Sequence, residues 1–377
     1  MRIFFVTNNY TPYSGGVVQS ITATVNALRE QGHEVFVITL NFLGKKHDDP
    51  EYVIRIQCPI KFRYKKNYMA IPWRPTHTLK KLMVMYKPDI IHVHHPFLLG
   101  VSALHAARAH NIPCVFTYHT LYEKYAHYVP IPKICMQPLI NTAVRTFCNK
   151  VDAIIAPSSF VKNYLLSHNI FTPIFIIPSP LREYFRNEIE NTIVKKSENP
   201  CELLLVTRFV PEKNVPFVFE IMRLLPDNFR ITLAGYGSDE KKLQKLAYDI
   251  LQFSSARVRF ILSPNQEELL ALYRAAHLFI FPSQTDTQGI VLAESMSQGV
   301  PVIALDGPGQ HDIIIQGENG FIVENAQKMA AIIIKISADK KLYHHLESGA
   351  RATAKNYDAR IIIGKLLTLY NSVIDHH

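Results

Sequence analysis

Several things are scarce in this sequence of 377 residues. Cysteine is one: Cys58, Cys114, Cys135, Cys148 and Cys201 make five, an odd number without C-x-x-C spacing. This argues against a disulfide framework or a zinc ribbon and points to a reducing cytoplasm. Long apolar runs are missing too, and nothing approaches the roughly 20 uninterrupted apolar residues that span a bilayer. The opening MRIFFVTNNYTP has an apolar run far shorter than a signal-peptide core, so it is expected to be a first buried strand. There is no G-x-G-x-x-G, which disfavours a dinucleotide dehydrogenase. Low-complexity tracts and short-period repeats are also absent. What remains is a globular composition, 48% hydrophobic and 19% charged, with enough chain for two domains.

Acidic residues are absent from one long segment. Between Glu51 and Asp89 there is none, whereas Arg55, Lys61, Arg63, Lys65, Lys66, Arg74, Lys80, Lys81 and Lys87 all fall there. Phe62, Tyr64, Tyr68, Met69, Ile71 and Trp73 are interleaved with them. The imbalance is one-sided along the chain. Residues 1–190 hold 21 Lys and Arg against 11 Asp and Glu, a net of +10, and residues 191–377 hold 20 of each. Such a mixture fits a solvated basic loop and helix face. It also fits an anionic lipid surface, where each basic side chain contributes about 1 kcal/mol while apolar groups insert. Nucleic-acid phosphates are a third setting.

Strand and helix signals alternate from end to end, the mark of parallel α/β sheets. Strand-like runs fall at Ile3–Thr7, Glu34–Leu40, Ile90–His94, Cys114–His119, Ala153–Pro157 and Ile174–Ile177, with helical periodicity at Val17–Glu30 and Leu98–Ala109. The polar stretch Arg186–Pro200 interrupts the pattern. It restarts with CELLLVTR, FRITLAGYG, VRFIL, LFIFPS, PVIAL and GFIVE, and Ala359–Ile374 closes it as a one-sided apolar helix. The expected organisation is a first domain over 1–185, a linker over 186–199, a second domain over 200–357 and a terminal helix over 358–377 that crosses back to the first. Two doubly wound domains imply a cleft at the carboxyl ends of their sheets.

Three loops carry candidate chemistry. After the first strand, Gly15-Gly16 opens a helix; paired glycines admit a close backbone approach and a helix start offers free N–H groups, though the same pair also makes a simple turn. After the first strand of the second half, Arg208 and Lys213 stand five residues apart, and two such cations can neutralise a diphosphate or merely be solvated. The densest segment runs from Phe281 to Glu294. A strand passes into a polar turn, and Gly289 then opens an apolar helix bearing Glu294. Asp286 and Glu294 are about 10 Å apart on helical geometry, too far to share a proton and suited to opposite ends of an elongated ligand. Backbone N–H groups of Thr287, Gln288 and Gly289 would face the same ligand, and Glu294 in its apolar surroundings needs a buried partner.

Asp286 and Glu294 resemble the E-x7-E motif of glycosyltransferase family 4, with Asp in the first place, and FPSQTDTQGIVLAESMSQGVPVIA looks like that family's strand–loop–helix nearly throughout. Gly15-Gly16, Asp89-Ile90-Ile91-His92, Arg208 with Lys213, Ala234-Gly235-Tyr236-Gly237 and Gly317-Glu318-Asn319-Gly320-Phe321 match in order, so the resemblance covers essentially the whole chain. It implies the GT-B fold: α/β, two Rossmann-like domains facing across a cleft. It also implies a retaining transfer from a nucleotide-sugar donor, without metal or other cofactor. Arg208 and Lys213 would grip the donor diphosphate, Glu294 the ribose, and Asp286 with the N–H groups of Thr287, Gln288 and Gly289 the sugar. Gly15 and Gly16 would approach the phosphates, and His119 matches the family's histidine near the reacting sugar. His92, His94 and His95 are expected to be packing and loop residues rather than metal ligands.

Tyr118-His119-Thr120-Leu121-Tyr122-Glu123-Lys124-Tyr125 and Thr285-Asp286-Thr287-Gln288-Gly289 are similar to segments of bacterial diacylglycerol glucosyltransferases. That implies a UDP-glucose-like donor, a membrane-lipid acceptor and a protein held peripherally on the inner face of the membrane. Lys61, Arg63, Lys65, Lys66, Trp73, Lys80 and Lys81 would meet the anionic surface, and nucleic acid is not an expected partner. A transferase of lipopolysaccharide, capsule or other glycan synthesis shares this machinery. A non-catalytic nucleotide-sugar binding protein and a sugar-nucleotide epimerase are the readings of other kinds. Two departures stand out: Pro178-Ser179-Pro180 where many relatives have Asn-Gly, and Ser263 where glycine is frequent.

Overall fold

A computed structural model describes residues 1–13, 15–42, 49–64, 67–122, 133–186 and 200–377. The chain divides into two compact units, Met1–Pro180 with Ala359–His377, and Leu181–Asp358.

In the first unit β1 (Arg2–Val6), β2 (Glu34–Leu40), β3 (Val53–Ile56), β6 (Ile90–Val93), β7 (Cys114–Thr117), β8 (Ala153–Ala156) and β9 (Ile174–Ile176) form a parallel sheet in the order β3-β2-β1-β6-β7-β8-β9. β4 (Ile60–Tyr64) and β5 (Asn67–Ile71) make a separate antiparallel hairpin. The sheet strands read as unbroken apolar runs because helices cover both of their faces. Phe4 and Val6 enter one core cluster with Ile91 and Val93, while Ile3 and Phe5 enter another with Val18, Ile21 and Val25. Helix Ala359–Asp375 supplies Ile362, Ile363, Leu366 and Tyr370 to that second cluster.

The second unit repeats the plan. β10 (Cys201–Arg208), β11 (Phe229–Tyr236), β12 (Val258–Leu262), β13 (Leu278–Phe281), β14 (Val302–Leu305) and β15 (Gly320–Val323) run parallel in the order β12-β11-β10-β13-β14-β15. Leu203 and Leu205 face one cluster and Leu204 the other.

Both sheets reverse direction beside their first strand, between β1 and β6 and between β10 and β13. Loops leaving adjacent strands in opposite directions open a crevice there, where ligands bind in doubly wound sheets.

Two expectations need correction, and a third lies almost wholly outside the described residues. The boundary placed at residue 185 lies at 180, because Leu181 and Phe185 are buried with Leu204, Tyr273 and Phe279 of the second unit, and the Leu181 N–H donates to the Tyr357 carbonyl at 2.9 Å. Of the linker 186–199, only Arg186 falls among the described residues, as the last residue of helix Glu183–Arg186. The basic segment is not a loop and helix face alone: it contains the β4–β5 hairpin before helix Pro75–Tyr86. Its apolar and basic residues alternate through Ile60, Lys61, Phe62, Arg63 and Tyr64, a run of only five residues.

Candidate active site

At the reversal point of the second unit, β10 delivers Arg208 and β13 delivers the loop Pro282–Gly289. Hydrogen bonds join the two. Past the turn Pro211–Lys213, Asn214 takes the left-handed conformation (φ 52°) and its amide donates to the Pro282 carbonyl at 3.3 Å. The Thr285 hydroxyl donates to the Glu212 carbonyl at 3.1 Å. Lys213 Nζ donates to Asp286 Oδ1 in an ion pair, and Arg208 Nη2 lies 3.6 Å from Glu212 Oε1. Burial pushes the Asp286 carboxyl up, but Lys213, Ser283 and Arg208 outweigh it and hold it below the usual carboxylate range. Asp286 is therefore ionised at neutral pH, and its Oδ2 has no hydrogen-bond partner among the described residues. That oxygen and two nearby cations are an arrangement suited to a polar, negatively charged ligand.

Two residues that the sequence did not single out fix this loop. Gln310, fully buried, donates to the Ser283 carbonyl at 2.6 Å and the Leu305 carbonyl at 3.1 Å. Gly309 packs so closely that a Cβ there would sit 2.8 Å from the Asp286 carbonyl oxygen and 2.9 Å from the Gln288 nitrogen. Gly289 (φ 68°) then turns the chain into helix Ile290–Ser297, a backbone that disfavours side chains.

Glu294 sits in the second turn of that helix, and its side chain is 1% exposed. Arg182 Nε and Nη2 each lie 2.7 Å from Oε1, and the buried Tyr273 hydroxyl donates to Oε2 at 3.2 Å. Burial pushes the Glu294 carboxyl up, and the pull of Arg182 and Tyr273 cancels only part of the rise. The buried partner required by the sequence is thus Arg182, whose guanidinium also lies over the rings of Tyr184 and Phe185 at 4.8 and 5.1 Å. Arg208, Lys213, Asp286 and Thr287–Gly289 gather around the reversal point; Glu294 lies inside the unit with both oxygens engaged.

The reversal point of the first unit is stitched similarly. His95 Nδ1 is 3.2 Å from the Thr7 hydroxyl and accepts from the Asn8 N–H at 3.3 Å. The Asn8 side chain bridges the Phe97 carbonyl and the Leu99 N–H, each at 3.2 Å. Gly15 caps helix Gly16–Glu30 in an extended conformation, and among the described residues a Cβ on Gly16 would meet nothing within 4 Å.

His119, two residues past β7 and partly buried, is hydrogen-bonded through Nε2 to His94 Nδ1 at 2.9 Å, the rings stacked at 5.2 Å. Burial, with His95 nearby, lowers the His119 pKa to about 3, and burial lowers His95 to about 4. Both are neutral at pH 7. His94 Nε2 is buried without a hydrogen-bond partner among the described residues. A bare lone pair there costs less than a stranded N–H, which favours Nδ1 of His94 as donor and Nε2 of His119 as acceptor. His92 bonds the Tyr370 hydroxyl and the Thr117 hydroxyl, each at 2.6 Å. Among the described residues no group of three or more His, Cys, Asp or Glu side chains could hold a metal ion.

The membrane-facing set is only partly described. Lys61, Trp73 and Lys81 are exposed and Lys80 is half-buried. The Arg63 backbone lies in β4, while Lys65, Lys66 and the stretch from Glu123 to Tyr125 lie outside the described residues. Among the described residues no helix is long and apolar enough to cross a membrane.

Comparison with known proteins accords with this geometry. Residues 14–182 match the model for Glycosyltransferase Family 4 and residues 186–353 that for Glycosyl transferases group 1. The alpha-monoglucosyldiacylglycerol synthase of Streptococcus pneumoniae is 28% identical, over 96% of this chain and 84% of that protein. The synthase of the same name from Acholeplasma laidlawii is 26% identical, over 100% and 98%. Among solved structures, sucrose-phosphate synthase from Thermosynechococcus elongatus superposes with a TM-score of 0.81 at 20% identity, over 100% of both chains. The two doubly wound units have the GT-B fold, and the matched family models make the chain a glycosyltransferase. Within that class the chain carries a Glycosyltransferase Family 4 domain in its first half and a Glycosyl transferases group 1 domain in its second.

Proposed function

We propose that this glycosyltransferase moves a hexose, glucose by its likeness to the two synthases, from a UDP-linked donor to a membrane lipid such as diacylglycerol, with retention at the anomeric carbon. The observation that carries the reading is the charge arrangement of Arg208, Lys213 and Asp286 where β10 and β13 diverge. A donor diphosphate brings negative charge that Arg208 and Lys213 are placed to accept. As the bond from the anomeric carbon to the phosphate oxygen breaks, charge grows on that oxygen and the same cations stabilise it. The acceptor hydroxyl attacks from the face the nucleotide leaves, and its proton passes to the departing phosphate oxygen. No dedicated base and no metal enter this scheme; positioning and electrostatics supply the rate.

Asp286 accepts hydrogen bonds from the sugar hydroxyls as Lys213 turns toward phosphate, and the N–H groups of Thr287, Gln288 and Gly289 assist. Glu294 serves the ribose by exchanging the Tyr273 hydroxyl for a ribose hydroxyl while Arg182 stays paired with its other oxygen. Neutral His119 meets the sugar, and the Gly15-Gly16 backbone approaches the phosphates. Lys61, Arg63, Lys65, Lys66, Trp73, Lys80 and Lys81 hold the protein on the inner face of the cytoplasmic membrane.

The test is a panel of nucleotide sugars incubated with and without diacylglycerol in anionic vesicles. A lipid-linked α-hexoside from one donor is the expected result. Nucleotide release without lipid product moves the acceptor to another glycan, and silence from every donor overturns the transferase reading.

A further inference from the structure

The β4–β5 ladder pairs Ile60 with Ile71, Lys61 with Ala70 and Phe62 with Met69. Residues directly opposite in an antiparallel pair share a face, and the face alternates at every residue. Ile60, Phe62, Met69 and Ile71 therefore form one side of the ribbon, and they are 54, 44, 37 and 43% exposed. On the other side Ala70 is buried, in the core cluster that holds Ile56 and Cys58. The ribbon turns its alanine inward and its large apolar residues outward, the reverse of what burial alone selects. Trp73 follows at 70% exposure, with the Arg74 guanidinium 5.9 Å from its ring, and helix Pro75–Tyr86 adds exposed Lys81, Val84 and Met85.

We propose that the outer face of this hairpin, Ile60, Phe62, Met69 and Ile71 with Trp73, is an insertion surface for an anionic lipid bilayer. Its apolar side chains enter the acyl boundary while Lys61, Arg74 and Lys81 stay among the phosphates. This deepens the membrane-lipid reading above and rests on it. Charge selects the occupant: the segment from Tyr52 to Pro88 holds nine basic residues and no acidic one. An apolar wedge ringed by one sign of charge matches a surface that is itself apolar beneath a layer of the opposite sign. An exposed tryptophan suits the interface, its ring apolar and its N–H able to stay hydrated. Adsorption through lysines alone would be screened by salt; insertion adds a term that salt does not remove.

Trp73 is the single tryptophan of the chain, so its fluorescence reports this surface without labels. On phosphatidylglycerol–phosphatidylcholine vesicles its emission is expected to move to shorter wavelength and to be quenched by lipids brominated on the acyl chain. At about 1 M salt, where the screening length is roughly 3 Å, part of the binding persists. The double variant Phe62→Ser, Met69→Ser is expected to bind these vesicles at least roughly tenfold more weakly (about 1.4 kcal/mol) and to lose that salt-resistant part. Its thermal unfolding midpoint verifies that the fold survives. Unquenched Trp73 on vesicles that nevertheless sediment the protein, or a double variant that binds like the parent, would overturn the proposal in favour of adsorption by charge. A blue shift with RNA and none with vesicles would overturn it in favour of nucleic acid. Hexose transfer is read separately: transfer without Trp73 insertion removes the surface and keeps the enzyme, and insertion without transfer does the reverse.

Discussion

Arg182 and Glu294 form an ion pair inside the second unit, two guanidinium nitrogens at 2.7 Å from one carboxylate oxygen while Tyr273 holds the other. The pair joins the first turn of that unit's chain to the helix of the E-x7-E-like motif. Such a pair adds little net stability against an apolar replacement of both partners, yet losing one partner strands the other charge.

Arg182→Met is therefore expected to cost about 3–5 kcal/mol at neutral pH, read from urea unfolding. Burial already raises the Glu294 carboxyl above its unfolded value, and removing the arginine raises it further. The folded variant then binds a proton that the unfolded chain releases, so its stability falls as pH rises above the unfolded value. The deficit should shrink as pH falls toward about 4.5. A deficit independent of pH would mean that the carboxylate is not what Arg182 serves.

Lys213→Ala should lower kcat by roughly 10²–10³-fold while donor affinity changes less, the signature of charge stabilised in the transition state. The same change removes the main influence that offsets burial at Asp286, so its carboxyl rises and activity acquires an acid limb absent from the parent. Equal losses in kcat and affinity would argue against leaving-group stabilisation.

The buried imidazoles of the first unit are expected to lower its stability in acid. His119 is held at about 3 and His95 at about 4, with His92 and His94 also well below the ordinary value, all through burial. A depressed folded value means that the unfolded chain takes up protons first, so stability is complete above the unfolded value near 6.5 and is lost as pH falls below it. Denaturant midpoints should drop between about pH 6.5 and 4, and His119 should show no titration in that window by NMR. Replacing His94 with Ala should raise KM for the sugar donor more than it lowers stability if His94 orients His119.

Ser263 holds a left-handed backbone (φ 49°), and its N–H donates to the Gly235 carbonyl at 2.9 Å. This accounts for glycine being frequent at that place. Ser263→Gly should be neutral to stabilising by about 0.5–1 kcal/mol, and Ser263→Val destabilising by about 1–2 kcal/mol. Urea midpoints of the two variants measure this directly.

Much of the architecture is legible in the sequence because it is local. An apolar run bounded by turn residues marks a strand buried on both faces, and Glu34–Leu40 and Cys201–Arg208 begin and end where their residues change character. Arg208 ends such a run and the loops bearing Lys213 and Asp286 follow such runs, so their place at strand ends could be read as well. The hairpin could not: its apolar alternation is short and shared with lysines, and that pattern does not say which face the fold leaves open.

The sequence by itself determined the two doubly wound units, the loops that carry polar chemistry, the positive first half and the need of Glu294 for a partner. Tertiary structure alone decided that the partner is Arg182, 112 residues away, that Gln310 and Gly309 brace the Asp286 loop, that His94 meets His119, and that Ala70 rather than Phe62 faces the core. The physical reason is range. Periodicity records how each residue relates to water and to its neighbours along the chain, whereas contacts between distant residues depend on strand order and on how side chains share a finite interior.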